Sequence, residues 1–266
     1  ETKNIYVSKI DILGNNITSE EFIRNNLYVD EGDPFNKILH AKSINRLKSK
    51  GIFKSVSSKI INEDEFKNLI EINIEEKPTG ELMAGAGYGT DGSTFSVGIK
   101  ENNFNGKGIQ LEANLGLTED SLKGAISYTH PNFAYSDRAL TSSLESTTTD
   151  KLTGYGYKST LNRVALGTRY EQYDNMFFSP KISIASEKIE TTSSASDAYK
   201  KQEGSYFDTT FAYGLSLDKR NQKFQPSDGF ISNWYQELPL VSNTSSVVNS
   251  YSFTAYGEPI DDMVIS

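Results

Sequence analysis

The sequence predicts a small α+β module followed by an antiparallel transmembrane β-barrel that is incomplete in this chain. Two observations predict it. Residues 1–77 are rich in Lys, Glu and Asp and mix strand-like runs with helix-spaced apolar positions. Beyond Pro78 the chain fills with Tyr, Phe, Gly, Ser and Thr, and apolar residues recur at every second position. Proline also disfavours helix in the residue before it, so the boundary is placed at Lys77–Pro78, giving domains at 1–77 and 78–266.

The module is read as β-α-α-β-β. Residues 5–13, IYVSKIDIL, alternate loosely as a strand and close on Gly14-Asn15-Asn16. Thr18 and Glu21 have the spacing of a capping box, which predicts a helix over about 18–26. After Asp33-Pro34, the residues Ile38, Ala41, Ile44 and Leu47 recur at spacings of three and predict a second helix, ended at Gly51. Strands at 52–61 and 67–75 follow, joined by a polar turn at Asn62–Phe66. The acidic residues Glu20, Glu21, Asp30, Glu31 and Asp33 are spread singly, as on a solvated or capping surface. Glu21, Arg24 and Arg46 are candidate exposed residues for docking a partner.

The barrel begins with ELMAGAGYG. Leu82, Ala84, Ala86 and Tyr88 share one face of this strand, and Met83, Gly85, Gly87 and Gly89 share the other. The clearest later strands place Ile109, Leu111, Ala113, Leu115 and Leu117, and then the odd positions Phe207–Leu217, opposite polar residues. Further strands are expected near 121–130, 138–147, 156–172, around Ile182 and Ile184, 229–239 and 249–258. An eleventh begins near Met263. The apolar phase changes between Leu161 and Val164, which predicts a bulge or an extended loop portion. Strands of about 9–11 residues suit a tilted bilayer crossing. A soluble all-β domain shows the same alternation but more often uses strands of about 5–6 residues. Tyr88, Phe104, Phe133, Tyr135, Tyr173, Phe177, Phe178 and Trp234 are candidates for interfacial girdles.

Composition excludes several functions. A net charge of −8 without a basic cluster argues against nucleic acid as a partner. The absence of cysteine excludes disulfide and thiolate chemistry. His40 and His130 are far apart and give little basis for a metal site, and no cofactor is expected. No nucleophile–base or carboxylate pair stands at useful spacing, so the chain is not read as an enzyme. No run approaches the roughly 18 apolar residues of a transmembrane helix, which leaves a barrel open. The start at Glu1, without a methionine or apolar leader, suggests a processed chain or a fragment. The end at IDDMVIS suggests a truncated barrel.

Several motifs, in order, resemble the Omp85 family of outer-membrane assembly proteins. They are VSKIDILGNNITSEEFIRNNLYVDEGDPFN (7–36), INRLKSKGIFKSV (44–56), EEKPTGELMAGAGYGTDG (75–92), ENNFNGKG (101–108), THPNF (129–133) and LDKRNQKFQPSDGF (217–230). The resemblance covers nearly the whole chain. It implies the last POTRA domain of a series followed by about ten of sixteen barrel strands, with the module in the periplasm. The strand at 81–89 then runs outward, Asp91-Gly92 turns outside, Asn102–Gly106 turns inside, and 191–204 forms the longest external loop. The loop at 218–229 is long for an internal turn.

By that resemblance the chain helps insert β-barrel proteins into the outer membrane without ATP. Lys77, Pro78, Thr79 and Gly80 act as a hinge, and residues Leu82–Gly89 form a lateral-gate edge that pairs poorly with the closing strand and templates substrate strands. The implied partners are unfolded outer-membrane proteins, periplasmic lipoprotein subunits, periplasmic chaperones and outer-membrane lipid. The alternative within the family is a related transporter, either a TamA-like assembly factor or a two-partner secretion pore. A passive porin has no reason to carry the N-terminal module.

Overall fold

The computed structural model describes residues 5–89, 92–222, 226–242, 246–260 and 263–265. Contacts divide the chain into two compact units, Glu1–Leu82 with Ile99–Leu111, and Met83–Gly98 with Glu112–Ser266.

In the first unit, β1 (Tyr6–Leu13), α1 (Glu20–Arg24), α2 (Lys37–Ser49), β2 (Phe53–Asp64) and β3 (Lys67–Glu76) form the expected β-α-α-β-β module. The sheet order is β1-β3-β2. β3 lies between a parallel β1 and an antiparallel β2, so it is the most buried strand. Its alternate residues Asn68, Ile70, Ile72 and Ile74 point inward. Val7 and Ile10 from β1, Phe22 and Ile23 from α1, and Ile44 and Leu47 from α2 complete the core.

Three local expectations change. The helix stripe is His40, Ser43, Ile44 and Leu47, while Ile38 is 69% exposed. On a helix of 3.6 residues per turn, a constant spacing of three slips by about 60° per step. Ile38 therefore ends about half a turn away from Leu47. His40 is buried and shares a 2.9 Å hydrogen bond with Ser58 Oγ, and burial pushes its imidazole below the ordinary value. The N-cap of α1 is Ser19, not Thr18, because the Ser19 hydroxyl accepts from Phe22 N. The β2–β3 turn is also tighter than expected, since β2 continues to Asp64.

The remaining strands are β4 (Gly80–Gly89), β5 (Gly92–Phe104), β6 (Ile109–Thr118), β7 (Ser121–His130), β8 (Ala139–Lys151), β9 (Tyr157–Tyr173), β10 (Met176–Thr191), β11 (Gly204–Asp218), β12 (Gly229–Val241), β13 (Val248–Ile260) and β14 (Met263–Ile265). They form one sheet in chain order, with β4 and β14 at its ends. The registers from β7 to β14 are antiparallel throughout. A short helical turn, α3 (Leu152–Tyr155), joins β8 to β9, and α4 (Asp197–Lys200) lies in the long 191–204 loop. There Tyr199 stacks on Tyr157 at 4.1 Å.

One face of the sheet is apolar and exposed. It carries Leu115, Leu117, Leu122, Ile126, Leu144, Val164, Leu166, Ile182, Ile184 and Phe207. The other face is polar and internally paired. Glu145 bridges Lys123 at 3.0 Å and Arg163 at 3.7 Å, Ser183 meets Thr210 at 2.6 Å, and Ser159 donates to Glu187 at 2.7 Å. This is the inversion expected of a barrel with lipid outside and water inside.

The bulge expected between Leu161 and Val164 is absent, because β9 pairs without a shift there on both sides. The phase change is real but has another cause. Leu161 lies on the polar face beside Arg163 and Asp208, whereas Val164 and Leu166 face outward. A register shift occurs instead at Met176/Phe177. Of the girdle candidates, Phe178 and Trp234 lie in one registered outer row, Tyr170–Phe178–Leu215–Trp234–Tyr251. Phe177 takes the inner face, under Arg169 at 4.7 Å. Asp91 and the Tyr135 side chain lie outside the described residues.

Candidate functional site

The first barrel strand leaves the module at Glu76, and the side chains around that point form a buried polar latch. The Glu76 carboxylate turns back onto the loop before α1. Its Oε2 accepts from Ile17 N at 2.9 Å and its Oε1 from Thr18 N at 2.6 Å. Burial opposes this charge, but hydrogen bonds from the Thr18 hydroxyl and from the N–H groups of Thr18, Ile17 and Asn16 outweigh it. They hold the carboxyl below its ordinary value.

Thr18 Oγ1 in turn accepts from Asn103 Nδ2 at 2.9 Å. Asn103 is only 6% exposed. Its Oδ1 accepts from Gly108 N at 2.8 Å, which closes the turn between β5 and β6. Ser19 N donates to Gly106 O at 2.8 Å. The glycines of NGKG follow from this contact. Gly106 (φ +68°) and Gly108 (φ +63°) would place a Cβ 2.1 Å from Ile17 O and 2.2 Å from the Phe22 ring, respectively. Neither position can hold a larger residue without moving the turn off the module.

The expected hinge is partly tied down. Thr79 O accepts from Asn102 N at 3.2 Å and from Asn102 Nδ2 at 3.1 Å, and the Thr79 hydroxyl donates to Glu101. Glu101 also accepts from Asn103 N at 2.6 Å. Lys77 and Pro78 remain exposed and outside any regular element, while Gly80 begins β4.

β4 is a terminal strand of the sheet, and every residue in it is exposed. Leu82 and Tyr88 are 85% and 87% exposed. Met83 Cε lies 3.1 Å from where a Cβ on Gly98 would stand, and Gly85 faces Ser96. Met83, Gly85, Gly87 and Gly89 therefore share the inner face, and Leu82, Ala84, Ala86 and Tyr88 the outer one. A Cβ on Gly87 or Gly89 would meet nothing within 4 Å. Packing thus does not require glycine at either position.

The docking candidates differ in accessibility. Glu21 is exposed. Arg24 is half-buried, bonded to Glu20 at 2.7 Å, Glu31 at 3.2 Å and Ile10 O at 2.9 Å. Arg46 is also half-buried; it donates to Asn26 Oδ1 at 3.2 Å and lies over the Tyr28 ring at 5.0 Å. Both arginines serve the module's own packing. Glu31 likewise accepts from Ile10 N at 2.9 Å, and that bond leads the interactions that lower its carboxyl.

The Omp85 superfamily domain matches residues 103–262. The chain belongs to the Omp85 superfamily. A second family, described as a surface antigen variable number repeat (POTRA), matches residues 5–77. This Omp85 chain is 26% identical over 234 residues to the outer membrane protein assembly factor BamA of Neorickettsia risticii, covering 86% of the chain and 31% of the relative. It is 29% identical over 134 residues to BamA of Neisseria meningitidis serogroup B, covering 49% of the chain and 17% of the relative. The chain thus spans about a third or less of these relatives.

Among solved structures, BamA from Haemophilus ducreyi lacking POTRA domains 1–3 aligns with a TM-score of 0.75 and 21% identity, covering 95% of this chain and 52% of that one. CdiB from Acinetobacter baumannii aligns with a TM-score of 0.63 and 13% identity, covering 94% and 48%. These likenesses concern the fold. The Omp85 chain is an outer-membrane protein with its POTRA module in the periplasm.

Proposed function

We propose that this chain is part of an insertase that folds β-barrel proteins into the outer membrane, with β4 as the edge that receives the incoming strand. The observation that carries this reading is the match of residues 103–262 to the Omp85 superfamily domain, and β4 is the first strand of that sheet, with Gly85, Gly87 and Gly89 on its inner face. An edge strand offers a row of backbone N–H and C=O groups, and an extended substrate can satisfy them by adding a strand. Inside a bilayer that pairing is strongly favoured, because unpaired backbone groups have no water. The chemistry needs no nucleotide and no catalytic side chain. The assembly-factor names of the curated relatives support the same reading.

The inner glycines Gly85, Gly87 and Gly89 give β4 conformational freedom at the expense of sheet stability. That balance suits a strand that must exchange partners. The partners proposed are unfolded outer-membrane proteins, with periplasmic lipoproteins and chaperones delivering them to the module.

The test uses the full-length protein in proteoliposomes carrying a Gly87→Val/Gly89→Val pair. Insertion of a small barrel substrate is expected to slow about tenfold, as two stiffened positions would give. The barrel's own heat-modifiable migration should stay intact. An unchanged insertion rate would remove the glycine part of the proposal. A protein that instead releases its substrate across the bilayer would be a two-partner secretion pore, the alternative that the family resemblance leaves.

A further inference from the structure

The outer face of the sheet carries an arginine where a lipid-facing surface ordinarily has none. Arg138 precedes β8 and is exposed, and its guanidinium carbon lies 5.0 Å above the Tyr170 ring. Tyr170 lies in register with Phe178, and the two rings meet edge to face at 5.8 Å. Phe178 continues the contact to Tyr213 at 6.2 Å. All three rings belong to the outward set, because Val164 and Leu166 share the parity of Tyr170 on β9, and Ile182 and Ile184 that of Phe178 on β10. Leu140, two residues on from Arg138, pairs with Thr168, and Leu166 pairs with Ile182. A guanidinium at the rim of the sheet is therefore followed along the strands by Leu140, Leu166 and Ile182, with the small hydroxyl residues Thr168 and Ser142 between them.

With the POTRA module in the periplasm, the β7–β8 and β9–β10 turns lie at the periplasmic rim. We propose that Arg138, with Tyr170 and Phe178, binds the phosphate of an anionic phospholipid in the periplasmic leaflet, with the acyl chains along Leu140, Leu166 and Ile182. The chemistry matches at both ends. A planar guanidinium donates two parallel hydrogen bonds to phosphate and stacks on aromatic faces. Amphipathic rings favour the headgroup level, and the aliphatic strip favours hydrocarbon. An anionic headgroup is the preferred occupant because no ammonium of its own competes for the phosphate. The site adds localised positive charge to a chain of net charge −8. Arg169 provides an internal contrast, since it lies one residue before Tyr170 and faces the lumen over Phe177.

The test measures lipid selectivity of the full-length protein reconstituted with spin-labelled phosphatidylglycerol or phosphatidylcholine. The wild type is expected to prefer phosphatidylglycerol. Arg138→Gln should reduce that preference about fivefold, the worth of one basic residue at a membrane surface. Arg169→Gln, which removes the same charge from the lumen, should leave it unchanged. Equal loss in both variants would mean a net-charge effect and overturn the site, as would full preference in Arg138→Gln. Competition by millimolar inorganic phosphate would also overturn it, because the proposed ligand is held by its chains as well as its headgroup. A second measurement does not depend on the variants folding. A photoreactive phenylalanine at Phe178 should capture phosphatidylglycerol more efficiently than one at the outward Phe95, and equal capture would count against the site.

Discussion

Replacing Asn103 by alanine tests the latch that anchors the β5–β6 turn to the POTRA module. The carboxamide donates to Thr18 Oγ1 at 2.9 Å and accepts from Gly108 N at 2.8 Å, in a position 6% exposed. Two such bonds contribute about 1 kcal/mol each, and a buried N–H left without an acceptor costs about 1–2 kcal/mol more. The expected weakening of the turn is thus about 3–4 kcal/mol, or about 150- to 900-fold in the local opening equilibrium. Amide hydrogen exchange reads this directly at Gly108 N and at Ser19 N, which donates to Gly106 O. Asn102→Ala is the control, since its side-chain bonds to Thr79 O and Glu81 lie nearer solvent. If exchange at Gly108 and Ser19 in Asn103→Ala stays within threefold of wild type, while the module remains folded, the latch carries no such energy and the reasoning fails.

Three further outcomes are expected. Gly106→Ala should lower the thermal stability of the module by about 1–3 kcal/mol, because φ is +68° and the new methyl would stand 2.1 Å from Ile17 O; calorimetry of the full chain checks it. Acid should weaken the module in two stages. His40 has a lowered folded value, so its contribution is complete above the ordinary 6.5 and declines as pH falls below it. Glu76, also lowered, contributes above the ordinary 4.5 and is lost as pH falls through its folded value. Denaturant midpoints at a series of pH values should show both stages; His40→Gln should remove the first, and Glu76→Gln should shrink the second, to which Glu31 also contributes. Finally, single cysteines at Leu161 and Val164 in this cysteine-free chain should react oppositely with a water-soluble maleimide, fast at 161 and slowly at 164. Similar rates would restore the bulge.

Much of the architecture was legible because alternation is a local signal. Leu111, Ala113, Leu115 and Leu117 announce a two-faced strand without reference to the rest of the chain, as do Phe207, Phe211, Tyr213 and Leu215. The composition change at Lys77–Pro78 likewise announced a module joined to a sheet. What failed depended on partners distant in sequence. Thr18 and Ser19 are equally good caps by residue type. Thr18 is withdrawn from capping by Asn103, 85 residues later, and by Glu76. The latch itself left only a faint trace, an asparagine followed by two glycines at 106 and 108 whose need for left-handed backbone becomes evident once Ile17 and Phe22 lie against them. Leu161 misleads because an inward apolar residue gives the same local pattern as a shifted strand. Glu31 and Arg24 looked like solvated charges because nothing local shows that they close onto Ile10.

The central claim is that β4 receives substrate strands through its edge, and cross-linking in the full-length protein tests it most directly. Cysteines at Leu82, Ala84, Ala86 and Tyr88 are compared with cysteines at Leu140 and Leu144 in β8, a strand paired on both sides. During assembly, the terminal strand of a substrate barrel bearing its own cysteine should be captured on β4, with a register that advances by two residues from one position to the next. Capture on β8 equal to that on β4 would contradict the account.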